Sequence, residues 1–277
     1  MERGKLYLIA TPIGNLDDIT LRAINTLKEV DIVAAEDTRH TLKLMNHLQI
    51  NKPLISYHRH NEEVKSKELR EKLLEGKNIG LVTDAGTPGI SDPGEEIVKM
   101  AIENEIEVVP IPGACAAINA LISSGLSTRE FIFYGFLPLN NKLRNEKFED
   151  ISRQKKTVII YEAPHRLLET LKDIKDKFGN INIVVAKEIT KIHEKFIRGN
   201  IEEVLDKLEN PKGEYIILFE MNGKSQKEKN QEKVKEMPIE EQYKLYISMG
   251  FDKKEAIKTI AKNAGVRKDE VYKKFIN

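Results

Sequence analysis

Short apolar runs alternate with longer amphipathic stretches through the first half of the chain. Lys5–Ala10, Asp31–Ala35, Leu54–Tyr57, Ile79–Thr83 and Glu107–Ile111 read as strands, and Ile19–Val30, Asn61–Leu74 and Pro93–Asn104 read as helices between them. Strand–helix alternation predicts a parallel or mostly parallel sheet. The helix at Pro93 carries a start signal, with Asp92 as N-cap, Pro93 in the first turn and Glu95 completing a capping box.

The pattern then repeats in other proportions. Phe131–Phe136, Thr157–Tyr161, Ile183–Lys187 and Tyr215–Met221 read as strands, and Leu143–Arg153, Pro164–Phe178 and Ile201–Leu208 as helices. The expectation is therefore an α/β protein with two α/β domains, over 1–115 and 116–224, punctuated by Pro112-Gly113 and Ser123-Ser124-Gly125. A polar linker is expected over 225–238 and a helical tail over 239–277. The tail reads as Ile239–Met249, a Gly250 stop, an Asp252 cap, Lys253–Ala264, a Gly265 turn and Asp269–Ile276. That is either a helix-turn-helix-like unit or a three-helix structural cap.

Composition narrows the class. The chain has 277 residues, 40% hydrophobic and 32% charged, enough for two ordinary cores. No run approaches the roughly 20 apolar residues of a membrane span. Met1–Lys5 leads directly into a strand with no apolar signal region, so a cytoplasmic protein without a membrane partner is expected. The single cysteine, Cys115, excludes a disulfide framework and argues against a cysteine-based zinc site, so no metal is expected. Net charge is +1, but 225–277 holds 13 basic and nine acidic residues. A basic tail is either a solvated helical surface or a contact for a polyanion.

The most informative loop is Asp84-Ala85-Gly86-Thr87-Pro88-Gly89-Ile90-Ser91-Asp92-Pro93-Gly94. It leaves the C-terminal end of an apolar strand, where open α/β sheets bind ligands. Three Gly, two Pro and two Asp in eleven residues exceed what a turn requires. Ile111–Ala117 opens a helix of small residues, whose free N–H groups suit a ligand or whose size suits close packing. Ala10–Leu16 is a third strand-end turn, which needs no more than a connecting role. There is no Gly-x-Gly-x-x-Gly and no Walker loop, which weakens dinucleotide, NTPase and Rossmann-like methyltransferase readings.

Two polar clusters remain. Strand alternation through Tyr57–Glu62 would put His58 and His60 on one face; alternatively this is a loop with Asn61 as N-cap. Ala186–Glu194 holds Lys187, Glu188, Lys191, His193 and Glu194, the charges needed to grip a phosphate or move a proton, or simply an ordinary charged hairpin.

Nine strings in order carry a resemblance: LYLIATPIGNLDDIT from Leu6, AAEDT from Ala34, SYHRHNE from Ser56, TDAGTPGISDPG from Thr83, PGACA from Pro112, GFLP from Gly135, YEAPHRL from Tyr161, AKEITKIHE from Ala186 and KGEY from Lys212. Together they resemble the tetrapyrrole methylase superfamily, and within it the branch that methylates a cytidine ribose 2′-oxygen of bacterial small-subunit ribosomal RNA. Three positions depart from the pattern. Cys115 stands where Ser is more frequent, Lys187 where Arg is usual, and Arg59 at a position often acidic.

The resemblance implies two α/β domains with a cleft for S-adenosylmethionine between them, unlike a Rossmann fold, and a homodimer. It places the cofactor against Thr11 and Pro12, Asp84, Ala85, Gly86, Thr87 and Ser91, Gly113 and Ala114, and Tyr161 and Ala163. Glu188 and His193 are then candidate general bases, with Lys187 as anchor or low-pKa base. Arg39, Arg59, Arg166 and Arg198, with the basic tail, are candidates for contact with ribosomal RNA or the small ribosomal subunit. The alternatives are a small-molecule, tetrapyrrole-type methyltransferase on the same fold, a non-catalytic RNA-binding assembly factor, and a nucleotide-binding regulatory module.

Overall fold

A computed structural model describes residues 2–221, 234 and 237–275. The chain divides into two compact units, Met1–Lys147 with Lys156–Glu220, and Phe148–Lys155 with Met221–Asn277. Most of the expected linker 225–238, and the end of the last expected helix at Ile276, lie outside the described residues.

In the first unit, strands β1 (Leu6–Ile9), β2 (Ile32–Ala35), β3 (Leu54–Ser56), β4 (Ile79–Val82) and β5 (Val108–Ile111) form one sheet in the order β3-β2-β4-β1-β5. Every pairing in it is parallel. The connections are α1 (Leu21–Glu29), α2 (Thr38–His47), α3 (Glu62–Leu74) and α4 (Glu95–Glu103). They cover both faces with two apolar layers, one around Leu6, Tyr57, Leu69 and Ile97, the other around Ile9, Leu27, Val33 and Met45. Burial on both faces is why these strands are continuous Ile/Val/Leu runs without alternation. All five strand ends that the sheet topology aligns carry their loops to one edge.

The helix α2 has no counterpart in the pattern analysis. Its polar sequence TRHTLKLMNH buries only Thr41 and Met45, and Asp37 caps it through a bond from the Arg39 N–H. The expected start of α4 is corrected. The helix begins at Glu95 behind Gly94, which has φ of 144°, and Asp92 makes no cap because Pro93 and Gly94 turn the chain before helix geometry begins.

A second sheet runs in the order β6-β7-β10-β8-β9, from β6 (Phe131–Phe136), β7 (Thr157–Glu162), β8 (Asn182–Lys187), β9 (Lys195–Asn200) and β10 (Tyr215–Glu220). Only β6 and β7 are parallel; the others are antiparallel. Strand β9, KFIRGN, lacks an apolar run because it is an edge strand paired only with β8, burying Ile197 while Lys195 and Arg198 stay exposed. The helices α5 (Ala116–Ser124), α6 (Asn141–Ser152), α7 (Pro164–Phe178) and α8 (Ile201–Asp206) complete the αβ pattern. Small residues of α5 pack on this sheet through Ala117, Ala120 and Leu121 against Ile159, Val184 and Leu218.

In the second unit, α9 (Ile239–Ser248), α10 (Lys253–Ala264) and α11 (Lys268–Phe275) share a small core of Ile257, Ile260, Ala261 and Val271. Asp252 and Glu255 form a capping box at the start of α10, and Gly265 ends it in left-handed geometry.

Candidate active site

Three strand-end loops are tied together at the edge of the parallel sheet. The Thr11 N–H donates to the Gly86 carbonyl at 2.9 Å and the Gly86 N–H to the Thr11 carbonyl at 3.1 Å. The Thr11 hydroxyl donates to the Thr83 carbonyl at 3.2 Å, and the Thr87 hydroxyl to the Ala114 carbonyl at 3.1 Å. The segments after β1, β4 and β5 are thus one platform. The second sheet contributes at Gly135, whose positive φ of 62° lets β6 bulge toward the loop after β4. A Cβ there would sit 2.9 Å from the Ser91 hydroxyl oxygen, so the close approach requires glycine.

Between platform and second sheet lies a cavity of about 320 Å³. Ile13, Ala85–Thr87 and Ile90–Asp92 form one wall, Cys115 and Ala116 the next, and Phe136, Tyr161–Pro164, Ala186, Ile189 and Gly213–Ile216 the rest. Its size and its mix of apolar walls with a few polar groups are those of a small-molecule or cofactor site. Tyr161 sets the wall. Its ring meets Phe133 and Phe136 edge-on at 4.8 and 5.7 Å, and its hydroxyl accepts from the Ala117 N–H.

The polar lining is acidic. Burial pushes the Asp92 carboxyl up to about 6, reinforced by the negative charges of Glu36 and Asp84 and opposed by Arg59. Burial also raises the Glu36 carboxyl, although a bond from the Asp84 N–H at 3.4 Å offsets part of the rise. Arg59 donates to the Ser91 carbonyl, holding the loop at a residue that has positive φ without being glycine. Behind the wall, the buried Glu162 carboxylate accepts from the Ala163 N–H at 2.9 Å and the Thr170 hydroxyl at 2.5 Å, and pairs with Arg166 at 3.6 Å.

Of the residues expected at the cofactor, Ala85, Gly86, Thr87, Ser91, Tyr161 and Ala163 line this cavity. Thr11, Pro12 and Asp84 do not: they line a second cavity, because the Thr11–Gly86 bridge turns them to the opposite side of the platform. Gly113 lines neither, since a Cβ there would meet the Ala10 Cβ at 2.8 Å, which makes it a packing glycine. Ala114 serves through its carbonyl, as the acceptor for Thr87. Cys115 lies at the N-cap of α5 without a side-chain cap bond.

Glu188, His193 and Lys187 belong to the hairpin between β8 and β9, as the plain hairpin reading has it. Burial pushes the Glu188 carboxyl up, but the Lys191 ammonium at 3.0 Å and the Glu214 N–H at 2.9 Å outweigh it and hold the group below the usual carboxylate range. His193 is exposed on the turn. His58 and His60 are not on a strand face, because β3 ends at Ser56; their rings meet edge-on at 6.0 Å in the following turn. Asn61 stands at the N-cap of α3 but spends its side chain on the Ser56 carbonyl and His58.

The expected RNA contacts separate into two kinds. Arg39 and Arg59 are exposed, and so is Arg198, although Arg198 also donates to the Ser123 and Ser124 carbonyls. Arg166 is largely buried, and its guanidinium is committed to Glu162 and to the Leu137 carbonyl at 3.0 Å. That geometry is structural and corrects its expected place at an RNA surface. Pattern reading missed Asp92, Glu36 and Glu214 as site groups. All three lie inside quoted strings, TDAGTPGISDPG, AAEDT and KGEY, and were legible as motif but not as a charge cluster. Among the described residues no group of side chains has metal-ligand geometry.

An all-parallel five-stranded sheet, a mixed five-stranded sheet and a cavity at their joined ends define the class of fold seen in diphthine synthase and uroporphyrin methyltransferases. A diphthine synthase superposes with a TM-score of 0.64 at 14% identity, over 79% of this chain and 90% of that one. Uroporphyrin-III C-methyltransferase from Thermus thermophilus, in complex with S-adenyl homocysteine, gives 0.55 at 19% identity over 78% of this chain and 97% of that one. The chain belongs to the tetrapyrrole (corrin/porphyrin) methylase family, which matches residues 5–205. Within it, ribosomal RNA small subunit methyltransferase I of Halalkalibacterium halodurans is 48% identical over 273 residues, 98% of this chain and 94% of that protein.

Proposed function

We propose that the chain is an S-adenosylmethionine-dependent methyltransferase of small-subunit (16S) ribosomal RNA, acting as a cytoplasmic homodimer on the 2′-oxygen of a cytidine ribose. The observation that carries the RNA reading is identity of 48% running through 98% of the chain, helical tail included, to a protein named for that substrate. The ribose and cytidine parts rest on the nine-string resemblance. The homodimer rests on it as well, and the compartment on the ribosomal RNA reading. No helix among the described residues is long and apolar enough to cross a membrane.

The main cavity fits the cofactor. Its apolar walls at Ile13, Phe136, Tyr161 and Ile216 suit a flat base, and the carboxylates of Asp92 and Glu214 suit cationic groups. When bound, S-adenosylmethionine supplies a methyl group already activated by the adjoining sulfonium charge. The protein then has to align the acceptor oxygen and remove its proton. Asp92 is the best-placed base: it lines the cavity, and its value near 6 leaves it ionised yet basic at neutral pH. Glu188 is a positioning residue in this reading, since its Oε1 accepts from both the Lys191 ammonium and the Glu214 N–H. Lys187 and His193, on the same hairpin, are in this reading contacts to RNA and not the proton-transfer groups first expected, alongside the expected Arg39, Arg59 and Arg198.

The test is to incubate the protein with small ribosomal subunits that lack the modification and radiolabelled S-adenosylmethionine, then digest the RNA to nucleosides. Label in 2′-O-methylcytidine is expected. Label on a base would overturn the ribose assignment, and absence of label with cofactor binding intact by calorimetry would overturn the RNA assignment.

A further inference from the structure

The second cavity, about 290 Å³, opens on the other side of the Thr11–Gly86 bridge. Asp84 lines it and Ala85 lines the main cavity, so adjacent residues of one loop separate the two spaces. Pro12, Leu16 and Leu44 give it apolar surface. Thr83 also lines it, is only 2% exposed, and has a hydroxyl oxygen with no hydrogen-bond partner. A buried hydroxyl left unpaired costs free energy, and such a group calls for a ligand or water to satisfy it. At the rim stand His40 and Lys43, both exposed.

We propose that this cavity binds an unpaired nucleobase of the RNA substrate; the inference rests on the RNA-methyltransferase reading above. The ligand must present a donor for the Asp84 carboxylate, and an acceptor for the Thr83 hydroxyl, which is covered in the empty cavity and reaches the ligand by rotating toward it. It must also be flat and partly apolar to lie against Pro12 and the two leucines. A base edge has those properties, and single-stranded RNA is recognised by splaying bases into such pockets. A phosphate fits poorly inside, since Asp84 lines the space and Glu36 and Asp37 bond to its loop: the Asp84 N–H donates to Glu36, and Asp84 accepts from the Asp37 N–H at 3.1 Å. Phosphates belong instead at the rim, opposite Lys43 and His40.

The experiment measures RNA and cofactor affinity separately for the full chain and two variants. Thr83→Val removes the orphan hydroxyl with little change of shape, and Lys43→Ala removes a rim charge. Binding of unmodified small-subunit RNA should weaken about three- to ten-fold in Thr83→Val. In Lys43→Ala it should weaken with a salt slope shallower by about one. Affinity for S-adenosylmethionine, by calorimetry, should stay within about two-fold in both. If Thr83→Val is more stable than the parent and both variants bind RNA as the parent does, the hydroxyl is a mere packing defect and the proposal fails. If cofactor affinity falls with RNA affinity, the cavity belongs to the cofactor and the proposal also fails. If the parent protein transfers no methyl group to the RNA and does not bind it, the RNA reading itself falls, and this inference with it.

Discussion

The Tyr161 hydroxyl accepts a hydrogen bond from the Ala117 N–H at 2.9 Å. Ala117 is the second residue of α5, and its N–H is one of the four that an α-helix cannot satisfy internally. The bond therefore locks the start of a helix, at one wall of the main cavity, to the end of β7 at another. Tyr161→Phe keeps the ring and its edge contacts with Phe133 and Phe136 but leaves the N–H without its acceptor. Stability in urea should fall by about 1 kcal/mol, and cofactor affinity should fall several-fold because two walls lose their common anchor. Affinity unchanged beside reduced stability would detach this bond from the cofactor site.

Asp92 makes a two-sided prediction. As the proposed base it acts only when ionised, so methyl transfer at saturating RNA should rise with pH through about 6 and then level off. Asp92→Asn should lower turnover by roughly 10²–10⁴-fold. Stability should move the other way. The folded value of about 6 lies above the ordinary 3.8, so the carboxyl is protonated in both states at low pH and stabilising interactions are fully present there. That stability is lost as pH rises from about 4 to about 6, and the ionised group then burdens the fold. The Asn variant should therefore be more stable at pH 7, by on the order of 1 kcal/mol after discounting for solvent screening of a half-buried group. Thermal denaturation at pH 4 and pH 7 checks the sign, since the difference between variant and parent should vanish at the lower pH.

Arg166 and Arg39 should fail in different ways. The Arg166 guanidinium pairs with Glu162, whose side chain is fully buried, and removing one partner of such a pair leaves an uncompensated charge. Arg166→Ala should cost about 3–5 kcal/mol of stability. The Arg39 side chain is 89% exposed and pairs with Asp37, which it holds well below the usual carboxylate range. Arg39→Ala should change stability little but weaken RNA binding and flatten its salt dependence by about one unit of slope. Denaturation curves and RNA titrations at several salt concentrations separate the two outcomes.

What the sequence made legible follows from which forces act locally. Strands buried on both faces, such as Ile79–Val82, announce themselves as apolar runs, and α7 carries Pro164 at its start and Gly179 at its end. The helix α2 and the strand β9 were hidden because each buries few apolar groups and takes its form from neighbours. Loop composition identified the platform after β4, but not the partition of its residues between two cavities. That partition depends on the Thr11–Gly86 bridge, a contact between segments 75 residues apart with no compositional mark. The fate of Arg166 was equally invisible. Arg166 reads as a polar position of an amphipathic helix, and only the fold brings the Leu137 carbonyl and a buried carboxylate to its guanidinium.

Cys115 supplies the last prediction. It occupies the N-cap of α5 in extended geometry, with φ of −138° and ψ of 111°, and its side chain makes no cap bond. A thiol is a poor acceptor for a helix N–H, whereas Ser is among the preferred caps. The Ala117 N–H is already taken by Tyr161, so a serine oxygen would serve the next free donor, Ile118. Cys115→Ser should stabilise the protein by about 0.5–1 kcal/mol. Because Cys115 also lines the main cavity, cofactor should protect the parent thiol from alkylation. Equal alkylation rates with and without S-adenosylmethionine would place the cofactor away from the α5 start, and a Ser variant no more stable than the parent would show that backbone geometry at 115 does not let a hydroxyl reach Ile118.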